Sequence, residues 1–232
     1  MKKNEIAKNL SLIKKEIKKT HLVAVTKYST VEDVILAYEA HHYDFGENRV
    51  QDLIEKAELF KEQQRTSVRW HFIGHLQSNK VRDLLKVPNL YAIHSVDSLR
   101  LLEELLKRES DFKGAELKLF FQVNTSHEEE KSGFESAEEL NLAIQLLLGR
   151  SSTKFKFYGL MTMGTIRTTD FEKEASRCFR DLVNIALNLE KTYGLKNKLK
   201  LSMGMSQDYK LALEAGTDFI RVGSAIFKKP SI

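Results

Sequence analysis

Residues 21–60 read HLVAVTKYSTVEDVILAYEAHHYDFGENRVQDLIEKAELF, and this stretch contains one pattern twice. A short apolar run, His21–Lys27, precedes an amphipathic stretch, Val31–Ala40. A second run, Tyr43–Gly46, precedes a second amphipathic stretch, Arg49–Glu62. Short runs rich in apolar residues predict strands, and apolar residues spaced three or four apart predict helices. Strands that alternate with helices are typical of parallel βαβ units.

The same alternation continues to the end of the chain. The further strand candidates are Arg69–Gly74, Leu90–Val96, Leu117–Asn124, Phe155–Met163, Lys200–Met203 and Phe219–Gly223. The further helix candidates are Ser98–Lys107, Ala137–Leu148, Phe171–Leu189 and Gln207–Glu214. Eight strands in 232 residues give about 29 residues per repeat, the size of one β/α unit. We therefore predict an α/β fold, a single eight-stranded β/α (TIM) barrel spanning residues 1–232.

An open, doubly wound sheet is the main structural alternative. It is disfavoured because the first strand runs into VTKYST, which lacks the glycine-rich dinucleotide fingerprint. With only two prolines and 11 glycines, the chain also has no evident linker between domains. Before the barrel, Glu5–Lys19 has helical apolar spacing with lysines on the other faces. We expect residues 1–20 to form an extra helix packed on the barrel, the alternatives being a membrane or RNA surface.

Composition excludes several classes of protein. Hydrophobic residues make up 42% and charged residues 30%, a globular balance, and the net charge of +5 does not require a nucleic-acid partner. Cys178, the single cysteine, allows no internal disulfide, and we expect it to be a half-buried helical thiol. No apolar run approaches the ~20 residues that cross a bilayer. We expect a cytoplasmic monomer with no membrane partner and, since the histidines lack ligand spacing, no metal.

Polar and flexible residues follow several predicted strands, and in a β/α barrel the chemistry lies at these strand ends. Lys27 ends the apolar run of the first strand. A lysine there loses part of its hydration, which favours the neutral amine that attacks carbonyl groups. The alternative is a strand-end lysine whose ammonium group reaches solvent.

The ends of the last two strands predict a phosphate site. Barrels often bind phosphate there through backbone N–H groups. Ser206 stands at a predicted helix start, and Gly223 and Ser224 follow the eighth strand. A helix cap and an ordinary turn are the alternative roles. Arg221 lies within that apolar strand and is expected to point inward, toward a ligand or toward an acid such as Glu47.

Several longer motifs resemble one family. They are VTK at 25–27, DFGENRVQ at 44–51, WHFIGHLQSNK at 70–80, IHSVDS at 93–98, GLMTM at 159–163, LSMGMSQD at 201–208 and RVGSAIF at 221–227. In this order, from about Leu22 to Phe227, they are similar to the YggS/PROSC family of pyridoxal phosphate homeostasis proteins. Two departures lie near the ends of this match: Tyr28 follows the lysine where the family often has threonine, and Lys228 replaces a common glycine.

The resemblance implies a barrel like that of alanine racemase, with pyridoxal 5′-phosphate (PLP) held as a Schiff base on Lys27. It implies that Ser206, Gly223 and Ser224 hold the phosphate and that Arg221 faces the pyridine nitrogen. Asn48, His75 and Met203 would line the pocket. We therefore expect eight cofactor-binding residues and no catalytic residue.

The implied function is storage, buffering or delivery of PLP, and the resemblance points to PLP-dependent apo-enzymes as the recipients. An arginine beside the pyridine nitrogen weakens PLP as an electron sink, and we expect no second domain to supply a racemase base. A PLP-dependent amino-acid racemase is the alternative. A PLP-free Schiff-base aldolase and a nucleic-acid-binding protein are more distant ones. Residues 125–134 form either a lid over the pocket or an ordinary exposed loop.

Overall fold

Eight parallel strands close into a barrel in a computed structural model of the chain. The structure describes residues 2–128, 130–150, 153–165 and 168–227. Each strand pairs with its neighbours in sequence, and β1 closes the barrel against β8. The predicted β/α barrel is confirmed. The strands are β1 His21–Val25, β2 Asp44–Glu47, β3 Arg69–Phe72, β4 Leu90–Val96, β5 Leu117–Gln122, β6 Phe155–Met161, β7 Lys200–Ser202 and β8 Phe219–Val222.

Helices lie between the strands and cover the outside of the barrel. In the described ranges they are α1 Lys2–Ile17, α2 Val31–Glu39, α3 Val50–Glu62, α4 Val81–Leu85, α5 Leu99–Lys107, α6 Ala137–Leu148, α7 Phe171–Thr192, α8 Tyr209–Glu214 and α9 Ser224–Phe227, with short 3-10 helices at Ser78–Lys80 and Glu109–Asp111. The N-terminal helix α1 contacts α2 and α9. Within the described residues, no helix combines the length and apolarity that a bilayer crossing needs.

Two apolar clusters form the core. The larger one fills the space between strands and helices, and it includes the large buried rings of Phe45, Phe60 and Trp70. The smaller one lies inside the barrel and consists of Val23, Ala92, Phe120, Met161 and Phe219. Parallel strands buried on both faces explain why the strand runs are nearly continuous in apolar residues rather than alternating.

Several strands end earlier than predicted, and the difference matters most at β1. This strand stops at Val25, and the chain then turns, with the Ser29 N–H donating to the Thr26 carbonyl at 2.9 Å. Lys27 therefore lies in a turn rather than at the end of a strand. The residues that leave the strands early form the loops at the C-terminal rim of the barrel, which we call the mouth.

The expectation of a half-buried thiol at Cys178 is wrong. Its side chain lies in α7 with no solvent exposure. The sulfur donates a long hydrogen bond, 3.6 Å, to the carbonyl oxygen of Thr125. Cys178 is therefore a core residue of the helix layer.

Candidate functional site

The mouth brings together residues that are far apart in sequence. Because β1 pairs with both β2 and β8, the loops that follow these three strands are neighbours. The predicted site residues in the mouth loops are Lys27 after β1, Asn48 after β2, His75 after β3, Ser206 after β7, and Gly223 and Ser224 after β8.

The side chain of Lys27 is exposed at the mouth. Its Nζ lies 5.1 Å from the ring centroid of Tyr28, a residue that is itself 89% exposed. The expected loss of hydration is not observed, because the turn after Val25 carries Lys27 out of the buried strand. An exposed amine remains accessible to a carbonyl compound that enters the mouth.

A buried polar cluster holds the backbone immediately before Lys27. The Thr26 hydroxyl donates to Glu47 Oε1 at 2.6 Å, and Lys56 Nζ donates to the Thr26 carbonyl at 2.9 Å. Lys56 and Glu47 form an ion pair, with side chains only 8% and 0% exposed. These contacts join the ends of β1 and β2 to α3. The sequence did not indicate this cluster, which we call the Glu47–Lys56 cluster.

Ser206 and Gly223 meet where the phosphate site was predicted. The Gly223 N–H donates to Ser206 Oγ at 3.4 Å. A Cβ atom at position 223 would lie 2.9 Å from the Val25 carbonyl oxygen, so only glycine allows this approach of β8 to β1. Ser224 begins α9. Hydroxyl groups and backbone N–H groups in a glycine-lined loop are the donor set that binds phosphate.

The alternative role of Ser206 as a helix cap is not observed. The helix α8 begins at Tyr209, with Asp208 at the position before it. Asp208 instead orders the loop that carries Ser206, because its Oδ1 accepts from the Met205 N–H at 2.5 Å. Burial raises the pKa of the Asp208 carboxyl group. The role of Asp208 was not predicted from the sequence.

Arg221 points into the barrel, as predicted, and is 4% exposed. Its guanidinium donates to Ser202 Oγ at 2.7 Å and to the Thr162 carbonyl at 3.0 Å. Burial lowers the pKa of Arg221 to about 10, with the charge of Asp208 opposing the shift. The group thus stays protonated at neutral pH. The alternative ion pair with Glu47 is wrong, because Glu47 pairs with Lys56 of α3.

His75 forms a hydrogen-bonded pair with Asp97 beside the mouth. Its Nδ1 lies 2.8 Å from Asp97 Oδ2, and the imidazole is 62% exposed. The Ser132 hydroxyl lies 3.3 Å from the same nitrogen, and the Ser132 carbonyl accepts from Gln122 Nε2 at 2.5 Å. The described part of segment 125–134 thus contacts both β5 and His75. Asp97 follows β4 and was not predicted as a site residue.

Two predicted pocket residues differ in their surroundings. Met203 is fully buried in the cluster between strands and helices, so it exposes no surface at the mouth. Asn48 is partly exposed, and its carbonyl oxygen would lie 2.0 Å from a Cβ atom at Gly74. Gly74 therefore lets the ends of β2 and β3 approach closely.

Across the described residues, no group of three or more His, Cys, Asp or Glu side chains could hold a metal ion.

Relatives of known name cover most of the chain. The pyridoxal phosphate homeostasis protein of Schizosaccharomyces pombe is 37% identical over 215 residues, which are 90% of this chain and 86% of the relative. The human protein of the same name is 37% identical over 220 residues, 90% of this chain and 78% of that protein. No protein-family model matches the chain.

Solved structures share the fold. PipY of Synechococcus elongatus, solved with PLP bound, superposes with a TM-score of 0.81 at 30% identity and covers 96% of this chain and 99% of its own. Alanine racemase from Enterococcus faecalis superposes with a TM-score of 0.71 at 17% identity over 99% of this chain and 59% of its own, a likeness of fold alone. From the extent and identity of the curated relatives, the chain belongs to the family of pyridoxal phosphate homeostasis proteins.

Proposed function

We propose that this protein binds PLP as a Schiff base on Lys27 and acts in PLP homeostasis without dedicated catalytic turnover. The observation that carries the proposal is the likeness to PLP-bound PipY over almost the whole chain. The exposed Lys27, in the loop next to the hydrogen-bonded pair Ser206–Gly223, supports it. In the proposed bond, the Lys27 amine would add to the aldehyde carbon, and the carbonyl oxygen would leave as water. PLP supplies the aldehyde and the conjugated ring.

Different residues of the chain would bind different parts of PLP. Ser206, Gly223 and Ser224 would bind the phosphate through hydroxyl and backbone N–H groups, in loops next to the β1 turn that carries Lys27. The exposed imidazole of His75 would contact the cofactor from the β3 side. The buried Glu47–Lys56 cluster holds the turn that presents the amine. Met203 would support the pocket from the apolar core and would not touch PLP itself.

The environment of Arg221 predicts that bound PLP would be a weak electron sink. A carboxylate beside a pyridine nitrogen keeps it protonated and makes PLP a strong electron sink. Arg221 stays positively charged and donates to Ser202 and Thr162. A cation facing the pyridine nitrogen opposes its protonation and weakens the sink. We infer a protein that retains PLP and releases it to PLP-dependent apo-enzymes.

Borohydride reduction tests the covalent bond directly. Protein loaded with PLP, reduced and digested is expected to carry the pyridoxyl group on the peptide containing Lys27, at close to one per chain. Peptide mass mapping reads the position. Modification mainly at another lysine would contradict the assignment to Lys27. Rapid stereospecific exchange of amino-acid α-protons in heavy water would contradict the absence of turnover.

Ser206→Ala tests the phosphate loop. The variant is expected to bind PLP roughly tenfold more weakly, the scale of one hydrogen bond to a charged group. Pyridoxal, which has the aldehyde but no phosphate, is expected to bind both proteins equally. Titration of the imine absorption band measures both ligands. Equal weakening of PLP and pyridoxal would show that Ser206 does not act on the phosphate.

A further inference from the structure

A line of polar side chains crosses the interior of the barrel, starting at Arg221. Arg221 Nη1 donates to Ser202 Oγ at 2.7 Å, and Ser202 Oγ lies 2.8 Å from His94 Nδ1. His94 Nε2 lies 2.9 Å from His71 Nδ1, and His71 Nε2 lies 3.1 Å from Asp44 Oδ1. These four hydrogen bonds join β8, β7, β4, β3 and β2. We call the five residues the interior chain.

The middle of the interior chain is buried. His71, His94 and Ser202 have no solvent exposure. The His94 ring stacks on Phe120 with centroids 4.3 Å apart, and the ring of Phe219 lies edge-on at 5.9 Å. Hydrogen bonds in such surroundings are strong, and a polar group left without a partner is costly.

Asp44 sets the direction of the hydrogen bonds at the far end. Burial alone would raise the pKa of its carboxyl group, but hydrogen bonds from Arg69 and His71 outweigh burial and lower it. As a carboxylate, Asp44 can only accept, so His71 Nε2–H must donate. Burial lowers the pKa of His71, which is therefore neutral with a bare Nδ1. His94 Nε2–H must then donate to His71.

The same reasoning continues to Arg221. Burial lowers the pKa of His94 well below its usual value, so the ring is neutral at pH 7. Its one proton lies on Nε2, which donates to His71, so Nδ1 accepts. The Ser202 hydroxyl must donate to His94, which leaves its lone pairs to accept from Arg221. An arginine can only donate. Every bond therefore runs in one direction, from Arg221 to Asp44, and each neutral histidine carries a single proton.

We propose that His94 and His71 are positioning residues for Arg221, acting through Ser202. Because the Ser202 proton is committed to His94, the oxygen lone pairs face Arg221, and with the Thr162 carbonyl they hold the guanidinium in one orientation. Without His94, the hydroxyl can rotate and present its proton to the guanidinium. The inference rests on the proposed function, since Arg221 is the group that would face the pyridine nitrogen of PLP.

Two substitutions at one position separate positioning from packing. His94→Gln keeps an acceptor for Ser202 and a donor for His71 at about the spacing of the ring nitrogens. His94→Phe keeps the stack on Phe120 and removes both polar groups. Ser202→Ala removes the link itself with the loss of one oxygen. His42→Phe is the control, because His42 is also buried but its ring bonds the backbone carbonyl of Asp44, at 2.8 Å, and not the carboxylate that accepts from His71.

The first measurement needs no PLP. Side-chain NMR is expected to resolve separate, slowly exchanging guanidinium protons of Arg221 in the wild type, His94→Gln and His42→Phe. In His94→Phe and Ser202→Ala these signals are expected to merge through rotation of the guanidinium. If Arg221 gives the same resolved signals in Ser202→Ala as in the wild type, the positioning proposal is overturned. If His94→Phe does not fold, Ser202→Ala alone tests the positioning proposal.

The second measurement uses PLP-loaded protein. His94→Phe and Ser202→Ala are expected to shift the pH titration of the imine band and to release PLP about tenfold faster, the scale of one lost hydrogen bond to a charged group. His94→Gln is expected to stay close to the wild type. Wild-type spectra and release in every variant would overturn the proposal while leaving the proposed function intact. Failure of the wild type to form the imine would overturn the proposed function, and the guanidinium signals would still test the interior chain.

Discussion

Replacing Lys27 with arginine is expected to abolish covalent capture of PLP. The guanidinium keeps the positive charge and much of the length of the side chain, but it remains protonated and does not form an imine. The absorption band of the imine should be absent. After borohydride reduction, the protein should carry no pyridoxyl group above background. Weaker, reversible binding of PLP through the proposed phosphate-binding residues should still be detectable, and borohydride should not make it covalent.

Lys80→Arg is the matched control for this experiment. Lys80 is also an exposed lysine, in the 3-10 helix Ser78–Lys80 that follows β3. The control is expected to bind and become labelled like the wild type. If Lys27→Arg still gave a stoichiometric reduced adduct, another amine would carry the cofactor. The proposed role of the β1 turn would then fall, although the family assignment would stand.

Much of the fold follows from local patterns in the sequence. The strand β4 and the helix α6 have the bounds predicted for them, Leu90–Val96 and Ala137–Leu148. Both are long enough for their periodicity to be read, and Ser136 caps α6 by accepting from the Glu139 N–H. The short helices α4 and α9 were missed, because four or five residues are too few to show a helical period.

The mouth was partly predictable for a topological reason. Once a closed barrel is predicted, β1 and β8 must be neighbours, so Lys27 and Gly223 come together without any knowledge of side-chain geometry. The orientation of Lys27 was not predictable in this way. It depends on a turn at Thr26–Ser29 that ends the strand early, and turns depend on local hydrogen bonds that strand patterns do not reveal.

The interior chain could not have been found by counting along the strands. The pairing of β3 with β4 shifts register between Trp70 and His71, and that of β4 with β5 shifts between Ile93 and Val96. Such shifts break the simple alternation that assigns inward-facing residues. The sequence therefore did not single out His71 and His94, although the barrel joins them to Ser202.

The Glu47–Lys56 cluster carries the largest expected effect on stability. Lys56→Met would leave the carboxylate of Glu47 buried without its cation, and its second oxygen already has no hydrogen-bond partner among the described residues. Removing one partner of a buried ion pair costs about 3–5 kcal/mol. Urea denaturation should show this loss in the free energy of unfolding. The double variant Lys56→Met, Glu47→Leu should recover most of it, since a well-packed apolar pair often replaces a buried ion pair without loss.

Lys61→Met provides the comparison on the same helix, because Lys61 pairs with Glu58 while 64% of its side chain is exposed. Exposed pairs contribute about 0–1 kcal/mol, so this variant should unfold nearly as the wild type does. Equal stability of Lys56→Met and Lys61→Met would contradict the role given to the buried pair.

The cluster also bonds Thr26, the residue before Lys27. The double variant should therefore fold well yet capture PLP more slowly than the wild type, because the turn that presents the amine loses its hydrogen bonds to α3 and β2.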